Sequence, residues 1–157
     1  MRIFNLFLTI VGATLFFSCD SNRVFEDTRT FSTAYWQADS IQTFEFEITD
    51  NQEFNILFSL RNGREFPHSN IYVNYQIKDS SNTLFDEELR NFQLFHQKSG
   101  FPFGKGSGNI YEHSFVLLTE YEFPSPGKYF MEFQQYMRYD SLPEVYSIGL
   151  RIETKED

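Results

Sequence analysis

Thr43-Phe44-Glu45-Phe46-Glu47-Ile48 decides the fold. Phe44, Phe46 and Ile48 fall on one side of an extended chain and Thr43, Glu45 and Glu47 on the other. A period of two is the mark of a strand with one face buried and one face wet. Asp50-Asn51-Gln52 follows as a turn signal. Phe54, Ile56, Phe58 and Leu60 then repeat the pattern, and Asn62-Gly63 reads as a turn dipeptide.

The same period continues outward. Ile71, Val73, Tyr75 and Ile77 share a face against Asn74, Gln76 and Lys78, and Asp79-Ser80-Ser81-Asn82 turns the chain. Thr83 to Leu89 reads as a weaker strand, with a short helix over Glu87 to Phe95 as its competitor. Ser99 to Gly108 is rich in Gly and reads as loop. Glu112 to Leu118, Lys128 to Tyr139 and a last stretch with Tyr146, Ile148, Leu150 and Ile152 on one face complete the set. The chain has 20 Phe and 9 Tyr, residues that suit a pleated, half-buried surface. These features predict an all-β protein, an antiparallel β-sandwich of seven or eight strands.

The N-terminus belongs to a different class of signal. Met1-Arg2 is followed by an apolar run to Phe17, interrupted only by Asn5 and Thr9. That run is short for a span, which needs about 20 apolar residues to cross a hydrocarbon core of roughly 30 Å. A basic start, an apolar centre and a small residue before the cut are the pattern of a secretory signal. Ser18-Cys19-Asp20 resembles a bacterial lipobox, with Phe16 standing where Leu is usual. Such signals join the thiol to diacylglycerol and cut the chain before the cysteine. Cys19 is the only Cys, so it cannot form an internal disulfide. The expected organisation is a signal peptide over 1–18, a lipid-attached tether over 19–30 and a sandwich over 31–157.

Charge narrows the function classes. The precursor carries 13 Lys+Arg and 22 Asp+Glu, a net charge of -9. Nucleic-acid binding needs a basic footprint, and this balance is the reverse. The same charge disfavours flat adhesion to anionic headgroups, so the body is expected to stand off the membrane.

No constellation points to catalysis. His68, His96 and His113 have no metal-ligand spacing, and no Gly-x-Ser-x-Gly elbow is present. Asp86-Glu87-Glu88 would alternate faces on a strand, so the three acids cannot converge on a cation. The run from Gly100 to Asn109 shares only its glycines with a phosphate loop. The expectation is therefore a protein that is not an enzyme, with no cofactor and no metal. Phe101 and Phe103 are the candidate partner-binding loop if exposed, or a fold-back onto the sandwich if not. A glycan-binding surface built on Trp36, Tyr35, Tyr136, Tyr139 and Tyr146 is the alternative, against Trp36 as core.

These stretches together resemble the GldH family of gliding-motility lipoproteins from the Bacteroidetes. The resemblance runs from Cys19-Asp20-Ser21-Asn22 through Trp36, Asp39-Ser40-Ile41, Leu60-Arg61-Asn62 and Phe66-Pro67-His68-Ser69-Asn70-Ile71-Tyr72. It continues through Phe103 to Glu112, Gln134 to Arg138 and Ile148 to Glu153. It implies a lipid-anchored cell-envelope component of surface gliding, tied to type IX secretion and working with other gliding and secretion envelope proteins. Only the lipid-attachment residue, Cys19, carries over from the family.

Overall fold

A computed structural model describes residues 22–155. Its elements are all strands: β1 (Arg23–Thr30), β2 (Tyr35–Gln37), β3 (Gln42–Ile48), β4 (Glu53–Gly63), β5 (Asn70–Asp79), β6 (Leu84–Gln93), β7 (Lys105–Ser107), β8 (Ile110–Glu122), β9 (Gly127–Gln135), β10 (Ser141–Pro143) and β11 (Val145–Thr154). One sheet has the order β1-β11-β4-β8-β7 and the other β3-β9-β5-β6, with a small β10-β2 pair beside them. Every pairing is antiparallel. The predicted sandwich is present. Strands β2, β7 and β10 are three residues each, and the other elements are longer strands, most of them the ones the periodicity exposes.

The alternation fixes which residues meet between the sheets. Phe44, Phe46 and Ile48 of β3 are buried, as are Phe54, Ile56, Phe58 and Leu60 of β4. Ile71, Val73, Tyr75 and Ile77 come from β5, Tyr129, Met131 and Phe133 from β9, and Ile148, Leu150 and Ile152 from β11. Aromatic rings lock the layers together. Phe58 of one sheet lies 4.9 Å from Phe133 and 5.1 Å from Phe92 of the other. Phe46, Phe123 and Tyr129 form a second cluster, with ring centroids 4.7 to 6.2 Å apart. Such pairs add to the area they bury.

Four details depart from expectation. Residues 23–30 are not tether but β1, an edge strand paired with β11 from Arg23↔Glu153 to Thr30↔Ser147. Its charges hid it. Phe25 packs at 5.7 Å on Phe46, and Arg29 turns over the Phe44 ring at 4.8 Å while donating to the Thr43 carbonyl. Charged residues on an edge strand block pairing with another chain, which is why this strand reads as a polar segment. Residues 87–93 continue β6 and form no helix. Asn62-Gly63 stays in β4, opposite Tyr111 and Ile110, and the turn comes one step later where Phe66 N donates to Gly63 O at 3.2 Å. β9 stops at Gln135, because the Gln135 side chain accepts from Met137 N and donates to Tyr139 O, folding 135–139 into a turn.

Strand directions give the molecule two unlike ends. Residue 22 lies beside the short connections 49–52, 80–83 and 123–126, and next to residue 155. The longer connections 31–41, 64–69, 94–109 and 136–144 all gather at the opposite end, here termed the cap.

Candidate interaction surface

The chain enters the sandwich at a fixed point. Thr154 N donates to Asn22 O at 2.7 Å. Lys155 beside it bridges Glu53 at 2.9 Å and Glu120 at 2.8 Å. The ammonium holds the Glu120 carboxyl below its ordinary range. Cys19 and the signal segment lie outside the described residues.

At the cap, residues 94–104 form a hairpin-like arm where a loop was expected. Phe95 and Pro102 make a β-bridge, His96 N donates to Phe101 O, and Phe103 N donates to Leu94 O. Leu94 and Phe95 are buried and root the arm in the core. Gly104 then passes over His113. A Cβ there would sit 2.5 Å from the Glu112 carbonyl and 2.8 Å from the imidazole, so only glycine allows the approach. Lys105–Ser107 pairs with Ile110–Glu112 as β7. The tip is left outward: Phe101 is 73% exposed and Phe103 is 60% exposed. The candidate partner loop therefore presents its two rings, and the fold-back alternative is excluded.

Beneath Phe103 runs an open groove of about 550 Å³, floored by Phe92, Phe115 and Val116 and edged by Arg90 and Asn91. Arg90 donates to Leu117 O across the gap and closes β6 onto β8.

The glycan platform fares differently. Trp36 is fully buried, stacked at 5.6 Å on Phe31, with its indole N–H donating to Ser40 O at 2.9 Å. Tyr35, Tyr136 and Tyr139 are exposed on the cap without it.

The ionisable candidates are held singly. His113 is buried between Phe95 and Phe115, its Nε2 without a partner, and burial pushes its pKa down to about 4. His68 lies edge-on to Tyr139 at 5.3 Å, and His96 lies 6.1 Å from Phe103. The Asp86-Glu87-Glu88 acids do alternate. Tyr75 OH donates to Asp86, Gln76 and Asn74 donate to Glu87, and Arg90 pairs with Glu88. The bonds from Gln76 and Asn74 hold the Glu87 carboxyl below its usual range. Among the described residues no His, Cys, Asp and Glu cluster is placed to hold a metal ion.

Positive charge is the feature that residue-by-residue reading missed. Among the described residues Arg61, Arg64, Lys98, Lys105 and Arg138 make no ion pair, and all lie at or beside the cap. The available signal was an acid-free run: Leu94 to Tyr111 contains no Asp or Glu in a chain of net charge -9.

Comparison with known proteins supplies the family. The model of the GldH lipoprotein family matches residues 23–152. The chain belongs to that family. It is 28% identical to the gliding motility lipoprotein GldH of Flavobacterium johnsoniae, over 99% of this chain and 100% of that protein. It is 26% identical to a GldH homolog of Christiangramia forsetii, over 98% of each. Family membership makes the chain a gliding-motility lipoprotein held at a membrane of the cell envelope. Solved structures align only loosely. A structure of infectious bursal disease virus Gx strain gives a TM-score of 0.39 at 14% identity, over 87% of this chain and 34% of that one. A serine protease of Aeromonas sobria gives 0.34 at 10%, over 85% and 27%. Neither likeness bears on function.

Proposed function

We propose that this family member is a non-catalytic component of the gliding apparatus, tied to type IX secretion, anchored by a lipid on Cys19 and acting by binding other envelope proteins. The observation that carries the reading is the placement of the chain's entry at the end opposite the cap. Three residue steps separate Cys19 from Asn22, which Thr154 fixes to the sandwich. That length reaches about 11 Å at most. The tether is thus far shorter than an eleven-residue linker would be, and the body sits close above the lipid.

The anchor then sets the direction of display. A strand the length of β4 spans roughly 35 Å, so the cap stands about that far from the anchored end. Two or more acyl chains on one residue make such an anchor essentially permanent, whereas one binds reversibly. Acidic groups face the membrane side: Asp50, Glu53, Asp79, Glu120 and Glu122 flank the entry, with Lys128 and Lys155 committed to ion pairs. Negative charge there discourages the body from lying flat on anionic headgroups.

Deletion of the gene in a gliding host tests the proposal. Loss of surface spreading together with loss of type IX cargo from the medium is expected. Unimpaired gliding and secretion would remove the functional assignment.

A further inference from the structure

We infer that the arm at 94–109, with Arg64 beside it, is the docking surface for an acidic segment of a protein partner. This deepens the proposed function and rests on it.

The first observation is a charge pattern that the chain leaves unbalanced at one place. Carboxylates are abundant, and the cations of the body use them. Arg23, Arg29, Lys78, Arg90, Lys128, Arg151 and Lys155 all pair with Asp or Glu. Lys98 and Lys105 on the arm do not, and neither does Arg64, whose backbone N–H is tied to Asn109 O at 2.8 Å. Inside the arm there is no acid to meet them, and the nearest acids along the chain and ladder, Glu65 beside Arg64 and Glu112 opposite Lys105, make no ion pair with them. Complementary potentials steer encounter and select partners, so a local cationic site on an acidic body favours a carboxylate-rich partner.

The second observation is the company these cations keep. Phe101 and Phe103 lie between Lys98 and Lys105 in the sequence and are exposed, and aromatic rings and Arg are enriched at protein interfaces. The arm is already shaped by its bridge at Phe95↔Pro102, its buried root and the Gly104 crossing over His113. A preformed arm loses little freedom on binding. The groove below Phe103 offers an apolar floor of Phe92, Phe115 and Val116. The fitting occupant is an Asp/Glu-rich protein segment that sends an apolar side chain into the groove while its carboxylates meet Arg64, Lys98 and Lys105. Its position at the cap leaves it free of the membrane.

Site-specific photo-crosslinking of the full-length, lipid-anchored chain in gliding cells tests this. A benzophenone amino acid replaces Phe101 or Phe103, and Phe85, exposed toward the anchored end, serves as the control position. The expected result is a protein adduct from 101 and 103 but not from 85, with the crosslinked peptide lying in an Asp/Glu-rich segment. Arg64→Glu with Lys98→Glu and Lys105→Glu should cut the yield about tenfold or more, and Lys98→Glu alone should cut it less. Equal adducts from position 85, yields indifferent to charge reversal, or adducts with lipid or polysaccharide would overturn the inference while leaving the proposed function standing. Failure of every position, Phe85 included, to reach any protein in cells that glide would instead count against the proposed function itself.

Discussion

At the scale of single residues, His113 carries the clearest pH signature. Burial lowers its pKa from an ordinary 6.5 to about 4, so the folded state prefers the neutral ring. The unfolded chain takes up the proton first as pH falls. Its contribution is therefore whole above about pH 6.5, erodes between 6.5 and 4, and is lost below. Two and a half pH units at 1.36 kcal/mol each set a ceiling of about 3 kcal/mol. Urea denaturation across pH 4 to 7 should show stability falling toward acid, with a shallower slope in His113→Phe. An unchanged slope in that variant would refute the assignment. The apolar replacement should itself cost little at pH 7, since Nε2 has no partner to lose. Trp36 gives a second check. As the only Trp in the chain, and fully buried, it should emit blue-shifted fluorescence shielded from iodide and unmoved by added oligosaccharides. Trp36→Phe removes the bond to Ser40 O and part of the packing, and should destabilise the fold by about 1–3 kcal/mol.

Among the elements, β1 is the one whose role changes the picture of the molecule. Its backbone is laddered to β11 over its whole length. Hydrogen exchange should find the alternate amides of β1 that face β11 protected, where a tether would exchange at once. Phe25→Ala should cost about 1–2 kcal/mol, less than a full core truncation because Phe25 is only half-buried. Full-rate exchange over 24–30 would return this segment to the tether. The comparison also shows what sequence patterning can and cannot reveal. β3, β4, β5, β9 and β11 alternate apolar and polar residues because each has one face in the core, and they are legible for that reason. β1 and β6 are edge strands, and they place charges such as Asp27, Arg29, Asp86 and Arg90 on the inward side, where they guard the edge. That breaks the alternation and mimics a linker or a helix. The arm shows the same limit. Phe101 and Phe103 stand out in the sequence, but their exposure depends on the bridge at Phe95↔Pro102 and the turn at Gly104, which link residues by position in space. The ladder partner of β10, three residues at Tyr35–Gln37, is set by a long-range pairing that no local pattern announces.

For the whole molecule the consequence is polarity. Short turns lie at the end where the chain enters, and the long connections, the Phe101 and Phe103 rings and the unpaired cations lie at the other, together with Asp39, Glu65, Asp140 and Glu144. The family assignment makes the chain a lipoprotein, and the fixed entry point at Asn22 would turn a lipid on Cys19 into a device for orientation as much as retention. The most direct test is complementation of a deletion strain with the wild-type gene or with Cys19→Ala, scored by spreading on agar, with immunoblots confirming that both proteins are present. The wild-type gene should restore gliding, and Cys19→Ala, which cannot receive the lipid, should not. Equal restoration by both would contradict the claim that anchoring through Cys19 is what places this protein at work.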